Sequence, residues 1–461
     1  MSKEASLFEQ QLIGRQLALK ELDDTIPQHV DEKELIEIIE TIPALNDSHC
    51  QRCGSPSNQW IVKPCFACDT TCYYCVSCLN FSRLSSCTKL YRLTKERTQF
   101  LLQEMWRNYL SFSYELAFEL SSEQQRVSSD IEQAIVEKKE LLVWAVTGAG
   151  KTEMTFKGIQ TALNQHQMVC YAAPRVDVTI DLKPRYEAAF HPLTIPIFYG
   201  NSEEKSGIAP LMMMTTHQLL RFYHLFDVII IDEGDAFPSV NNSMLQHAVQ
   251  QALRPDGVII WLTATPPQSL MKRVEQGQCQ LSILPARYHG HPLVVPTFKW
   301  VGNWAKMLDK KSCPLALKLL IKRYLERNIP FLIYLPHIER MLQLEEILKR
   351  EFKTNHFTSV SSKDELRQEK VQRMREGEWD FLLTTTILER GVTFKGINVI
   401  ILGSEHHTFS SEILIQIAGR VGRSVDQPTG EVIFLHHGQS QAMKIARKQI
   451  KHLNQLAKKQ K

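Results

Sequence analysis

Residues 141–154 read LLVWAVTGAGKTEM, and this stretch decides the fold. Leu141–Val146 is an apolar run of strand length, and the segment from Lys151 onward has the polarity of a helix. The loop between them carries glycine at 148 and 150. Glycine lets successive backbone N–H groups turn inward, which is how a loop opening a helix holds phosphates. Thr147, Gly148, Ala149 and Gly150 would form that cradle, Lys151 would reach the β- and γ-phosphates, and Thr152 would offer its hydroxyl to Mg²⁺. Ala145 stands where the broader pattern has its first glycine. The spacing predicts a nucleoside triphosphate site at the end of a buried strand.

Outward from this loop, from Leu120 onward, Val- and Ile-rich runs such as MVCYAA, DVIIID and GVIIWLTAT alternate with polar segments of helix length. That alternation predicts βαβ units around a buried parallel sheet. Within it, DVIIIDEGD (227–235) delivers acidic residues at the C-terminal edge of a strand, where open α/β sheets bind ligands. Asp232 is placed to hold Mg²⁺ and Glu233 to orient or deprotonate the attacking water. A break at 286–304 (ARYHGHPLVVPTFKWVGNW) precedes a second series: FLIYLP, HFTSV, DFLLTTT, NVIILG and GEVIFLH. Two similar α/β domains in tandem, with a cleft between them, are expected. The second contains QIAGRVGR (416–423), whose Arg420 and Arg423 would share one helical face. An arginine reaching a γ-phosphate across the cleft would stabilise transition-state charge.

The 461 residues are 43% hydrophobic and 23% charged with a formal net charge of +4, which suits a folded chain of two or three domains. So mild a charge permits a nucleic-acid partner without requiring one. The N-terminus MSKEASLFEQQLIGRQ has no apolar signal-like core, and no run approaches the ~18 residues that span a bilayer. The expectation is a cytoplasmic protein with reduced thiols. Eight of its eleven cysteines lie between Cys50 and Cys87, and in such a compartment clustered cysteines are more often metal ligands than disulfides. Cys50-Gln-Arg-Cys53 precedes Gly54, whose missing side chain suits a zinc knuckle. Cys65/Cys68, Cys72/Cys75 and Cys75/Cys78 are all spaced to complete a four-cysteine Zn²⁺ site.

The resulting domain reading is a helical segment at 1–47, a zinc-binding module at 48–90, an amphipathic linker at 91–119, and α/β domains at 120–292 and 293–461. In the first segment Leu35, Ile38, Ile39 and Ile42 fall at helical spacing. The basic C-terminal MKIARKQIKHLNQLAKKQK places Ala446, Ile450, Leu453 and Ala457 on one helical stripe. It reads either as a docked helix or as a contact to DNA backbone or anionic membrane. His406-His407 and His436-His437, read as strand neighbours, would point to opposite faces and not ligate jointly.

In this order, AVTGAGKT, DEGD, TAT (263–265) and QIAGRVGR resemble motifs I, II, III and VI of superfamily 2 helicases and translocases. LSSEQ (120–124) resembles the Q motif, whose Gln124 would read adenine. APR (173–175) and TTHQLLR (215–221) resemble motifs Ia and Ib, FLIYLP (331–336) motif IV, and TTTILERGVTF (384–394) motif V. The resemblance implies two tandem RecA-like domains with parallel sheets, ATP and Mg²⁺ as cofactors, and Gly391 at the nucleotide. It places Arg175, Thr216 and Thr385 on the phosphate backbone of single-stranded DNA. With its cysteines ahead of the motor, the chain is similar to the ComFA family of late competence ATPases, more so than to the primosomal helicase PriA, whose cysteines interrupt the motor. That similarity implies a single-stranded-DNA-dependent ATPase and translocase in the uptake of transforming DNA, at the inner face of the cytoplasmic membrane. Its partners would be other competence proteins: ComFC-like, DprA-like and the membrane DNA channel. The alternative activities are an ATP-gated scaffold docking competence partners and a PriA-like replication-restart helicase. The family pattern also implies Cys50, Cys53, Cys75 and Cys78 as zinc ligands, and leaves Cys65, Cys68, Cys72 and Cys87 as spare thiols or a second, weaker metal site.

Overall fold

The computed structural model describes residues 3–22, 37–79, 81–200, 207–234, 243–352, 356–388 and 394–459. The chain forms two compact units, Met1–Val143 with Thr152–Ser282, and Trp144–Lys151 with Ile283–Lys461.

Before the α/β series the described residues include a helix, Lys3–Leu12, and five strands: β1 (Leu17–Ala18), β2 (Ile39–Pro43), β3 (Trp60–Cys65), β4 (Thr70–Cys75) and β5 (Lys89–Leu93). β3 and β4 form an antiparallel hairpin, while β1, β5 and β2 form a separate sheet in that order. The helix expected across Leu35, Ile38, Ile39 and Ile42 is corrected at its end: Ile38 is helical, but Ile39 and Ile42 lie in β2, opposite Leu93 and Leu90 of β5. The β-branched residues Ile39, Thr41 and Ile42 favour that pleated pairing, and the tertiary ladder overrides the helical spacing. Leu35 lies outside the described residues.

The expected linker at 91–119 is corrected as well. It holds the end of β5 and a helix, Lys95–Trp106, capped by the Thr94 hydroxyl. Beyond that helix the Phe112 N–H donates to Asn164 Oδ1 at 2.8 Å, while Asn164 Nδ2 donates back to the Phe112 carbonyl at 3.0 Å. The Trp106 ring meets His166 at 5.1 Å. A segment pinned by backbone hydrogen bonds and ring packing does not behave as a tether.

The cysteine segment is not an autonomous module either. Cys50, Cys53, Cys75, Cys78, Leu84 and Leu90 share one continuous core with Ile229, Ile231, Leu245 and Ile259 of the first α/β domain. Sequence composition marked a boundary there because the cysteines end and the Val/Ile runs begin; the packing crosses it.

The first α/β sheet has seven strands: β6 (Leu141–Ala145), β7 (Val169–Ala173), β8 (Ile197–Phe198), β9 (Leu211–Thr215), β10 (Phe226–Ile231), β11 (Leu253–Thr263) and β12 (Gln280–Leu284). Their order is β12-β6-β11-β10-β7-β9-β8. β10 runs parallel to both β11 and β7, and β9 runs parallel to β7 and β8. β7 and β9 are buried along their whole length, as a sheet covered on both faces requires.

The second sheet consists of β13 (Thr297–Trp300), β14 (Phe331–Tyr334), β15 (Phe357–Val360), β16 (Phe381–Thr384), β17 (Asn398–Leu402) and β18 (Val432–His436), in the order β13-β18-β17-β14-β16-β15, all parallel. The helix Gln441–Lys459 closes this unit, burying Met443, Ala446, Ile450 and Leu453. Its Asn454 side chain exchanges hydrogen bonds with the Leu293 backbone, so the apolar stripe docks and the basic face stays outside.

Candidate functional site

The glycine loop follows β6 directly. Gly148 and Gly150 both have left-handed backbones, φ +78° and +75°, a conformation that favours glycine. The helix then begins at Lys151, so the loop feeds a helix N-terminus as phosphate binding requires. Thr147, Ala149 and Thr152 are buried, and the Thr152 carbonyl accepts the Thr155 hydroxyl at 2.7 Å.

The acidic turn follows β10. Asp232 is buried, and its Oδ2 accepts the Tyr171 hydroxyl from β7 at 2.8 Å. Its Oδ1 accepts the Glu233 N–H at 2.8 Å. Burial first, and then the Asp232 charge, push the Tyr171 phenol well above its ordinary pKa, so it stays a donor. Glu233 is half-buried and holds a left-handed backbone, φ +50°. Non-glycine residues reach that region rarely and at a cost, and such residues concentrate where geometry serves function. Behind the turn, the Gly234 N–H reaches the Leu262 carbonyl of β11 at 3.1 Å. In Thr263–Thr265 the Thr265 N–H reaches Thr263 Oγ1 at 3.0 Å. Asp235 and Gly391 lie outside the described residues.

Gln124 is buried at the start of the helix Ser122–Val136, where it forms a capping box with Ser121. Its Oε1 accepts the Ser121 N–H at 2.9 Å. Arg175 caps the N-terminus of Val176–Ala189 and is half-buried, as is Thr385 after β16. Thr216 requires a correction. It is fully buried, and among the described residues its hydroxyl has no hydrogen-bond partner; in this arrangement it offers a phosphate backbone no surface, while its neighbour His217 is exposed.

In the second unit Arg420 and Arg423 do not share a helical face. The helix Ser411–Ala418 ends before them, with Gly419 as its C-cap. Arg420 is buried, and Arg423 Nε donates to the Gly419 carbonyl at 3.0 Å. Gly422 is at φ +69°, and a Cβ there would meet the Pro428 carbonyl oxygen at 2.3 Å. This turn rests on a residue that sequence reading passed over as part of a domain break. Arg287, buried, donates to the carbonyls of Gly422 and Gly419. Burial lowers its pKa to about 10, which leaves it charged at neutral pH. His289 approaches the Gly422 carbonyl at 3.1 Å. The spacing of ARYHGH held no signal for this. His406 and His407 also differ from expectation, lying in a turn with their rings 4.1 Å apart.

The cysteines resolve into two clusters, Cys50/Cys53/Cys75/Cys78 and Cys65/Cys68/Cys72/Cys87, each with its sulfurs within 4.8 Å of one another. In the first, Cys50 and Cys78 sulfurs are 3.8 Å apart and those of Cys53 and Cys75 3.4 Å. Gly54, φ +69°, allows the knuckle turn in which its N–H bonds the Cys50 carbonyl. A Cβ at Gly54 would meet the His247 ring at 2.8 Å, so the knuckle packs on the helix Ser243–Ala252. Alongside, buried Arg52 pairs with Glu21, which also meets Arg221 at 3.2 Å. Burial alone would raise the Glu21 pKa; Arg52 and Arg221 hold it below its ordinary value. Four buried cysteine sulfurs, once deprotonated, suit a soft ion such as Zn²⁺ and leave no open position for catalysis.

Residues 2–92 match the Competence protein ComFA N-terminal domain, residues 117–268 the type III restriction enzyme res subunit, and residues 315–425 the helicase conserved C-terminal domain. The chain is 40% identical over 412 residues to Competence protein ComFA of Bacillus subtilis, covering 89% of this chain and 86% of that one. It is 39% identical over 436 residues to Competence protein ComFA of Streptococcus pneumoniae, covering 92% and 96%. Among solved structures it resembles S. cerevisiae Dbp5 bound to RNA and ADP BeF3, with a TM-score of 0.52 and 14% identity, covering 74% of this chain and 97% of that one. RecG bound to a three-way DNA junction gives a TM-score of 0.51 at 17% identity, covering 78% and 50%. Likenesses at that identity speak for the fold alone.

Proposed function

The chain belongs to the ComFA family of competence proteins, and from that premise we propose that it couples ATP hydrolysis to movement along single-stranded DNA during DNA uptake. Its helicase domains are those of an ATP-hydrolysing superfamily that works with Mg²⁺. The observation that carries the reading is the acidic turn: Asp232 is fixed by Tyr171, and Glu233 is held in a costly backbone conformation directly beside it. A merely structural turn after β10 would not need either.

In this reading the N–H groups of residues 147–150 hold the phosphates, Lys151 neutralises the γ-phosphate, and Thr152 and Asp232 hold Mg²⁺. The ion, when bound, supplies charge neutralisation to the phosphate oxygens. Glu233 orients or deprotonates the attacking water, Gln124 and Gly391 serve the nucleotide, and Arg420 and Arg423 meet charge that develops in the transition state. Arg287 positions them by holding the carbonyls of their turn. Arg175 and Thr385 contact the DNA backbone, giving binding that is sequence-tolerant and salt-sensitive. Cys50, Cys53, Cys75 and Cys78 hold a structural Zn²⁺. Among the described residues no helix is long and apolar enough to cross a membrane. In this reading the partners are other competence proteins.

ATPase rates measured with single-stranded DNA, duplex DNA and RNA test the reading. Single-stranded DNA should stimulate hydrolysis most, and Lys151→Ala and Glu233→Gln should remove the stimulated rate. A rate indifferent to all three polymers would replace the motor with an ATP-gated scaffold.

A further inference from the structure

The second cysteine cluster lies outside every role assigned so far. Cys65 closes β3, Cys68 sits in the turn, and Cys72 lies on β4 opposite Lys63. Cys87 arrives from a strap that runs antiparallel along β4: the Cys75 N–H bonds the Leu84 carbonyl at 3.1 Å, and the Ser86 N–H bonds the Tyr73 carbonyl at 2.9 Å. This strap carries Cys87 to the end of the hairpin opposite to Cys75. Successive strand residues alternate faces, so Cys72 and Cys75, three apart, face opposite sides of β4. One strand therefore serves both clusters without competition between them.

The distances match a single tetrahedral ion. Zn–S bonds of about 2.3 Å place the sulfurs of a tetrathiolate about 3.8 Å apart. In this cluster the Cys65 and Cys87 sulfurs are 3.6 Å apart, and those of Cys68 and Cys72 are 3.4 Å apart. The first cluster shows 3.8 and 3.4 Å. All eight cysteines are free thiols. An iron–sulfur cluster would hold its cysteine sulfurs apart by its own body, and this spacing leaves no room for one. Binding would release four protons from four thiols and leave a complex of charge −2. Lys63, Arg83 and Lys89 line the same recess as Cys65 and Cys87, so cations stand where that charge would need them.

We propose that Cys65, Cys68, Cys72 and Cys87 form a second tetrathiolate Zn²⁺ site. Along the chain its ligands interleave with those of the first: Cys50 and Cys53, then Cys65, Cys68 and Cys72, then Cys75 and Cys78, then Cys87. Two ions so placed clamp both ends of the β3–β4 hairpin. They fix the turn that presents Phe66, 97% exposed, to solvent. The proposal does not depend on the motor reading, and neither readout below involves ATP.

Metal analysis of the purified full chain should give two zinc ions per chain. Cys68 and Cys87 are exposed, so Cys68→Ser and Cys87→Ser should fold and each bring the count to one. A single zinc in the parent protein, kept by both exposed variants, overturns the proposal. Replacement by Co²⁺ gives a test that needs no variant. The tetrathiolate absorbance per chain of the parent should be twice that of a protein with one such site, and a value equal to one site overturns the proposal.

Discussion

The glycine loop at 147–152 and the cysteine site at 50–78 are both built on tight turns with glycine at positive φ, yet they relate to the fold in opposite ways. The loop follows a strand whose sheet would stand without it, and its proposed role is to hold a ligand. The four cysteines are part of the core itself, continuous with Ile229, Ile231 and Leu245. The difference teaches that a motif's place in the sequence does not reveal whether its loss costs turnover or costs the fold. Substitutions at the two places should therefore separate the two properties.

The largest effect is expected from Cys50→Ser. Structural zinc contributes apparent binding energies of about 10–16 kcal/mol in small modules, comparable to the roughly 5–15 kcal/mol that holds a whole domain. Because the site shares the first unit's core, thermal unfolding should show that unit lost together with the zinc. A variant that releases zinc yet keeps the first unit's transition would restore the picture of a separate module.

Next comes Arg423→Ala, on the side of turnover alone. Arginines in this role are worth about 10³–10⁵ in rate, while nucleotide affinity and the unfolding transition should stay near parental values. A loss of about tenfold or less falls far below that range and would remove the arginine from the hydrolysing state.

Glu21→Gln falls between the two sides. It leaves buried Arg52 without its carboxylate, and breaking a buried pair costs about 3–5 kcal/mol. The pH dependence has a definite sign. A carboxyl held below its ordinary value of 4.5 contributes stability that is complete above that value and is lost as pH falls through the lower, folded one. Acid titration of stability should show this loss in the parent and not in Glu21→Gln.

The smallest effect belongs to Tyr171→Phe. A hydrogen bond to a charged group is worth about 1.5–3 kcal/mol. Its removal should raise the Mg²⁺ concentration needed for half-maximal ATPase by roughly tenfold to a hundredfold, with little change in melting temperature. An unchanged Mg²⁺ requirement would detach Tyr171 from the proposed metal-binding role of Asp232.

The stations of the proposed nucleotide site were legible because they depend on local spacing. Gly148, Gly150, Lys151 and Asp232 sit where strand ends place them, and sequence shows strand ends through apolar runs. What stayed hidden was tertiary. Ile39 and Ile42 have a helical period, but β5 supplies a ladder from about fifty positions downstream. Arg287 acts on carbonyls of a turn far along the chain, and a lone arginine beside a proline-rich break carries no mark of that. Thr216 matched its motif yet is buried, since a motif gives residue order and not exposure. The choice among the cysteine pairs needed the hairpin: Cys72 and Cys75 have the right spacing and the wrong parity.

The contact between Gly54 and His247 also sets an order of assembly during synthesis. At about 5–20 residues per second, the helix that covers the knuckle leaves the ribosome roughly ten to forty seconds after it. Through that interval the N-terminal segment would expose the apolar face that later meets Ile229 and Leu245. Cysteine sulfurs captured early by metal would keep that face in one shape while the chain is still being made. The cell's zinc supply would then govern how much of the newly made protein reaches its final structure, before any ATP is bound.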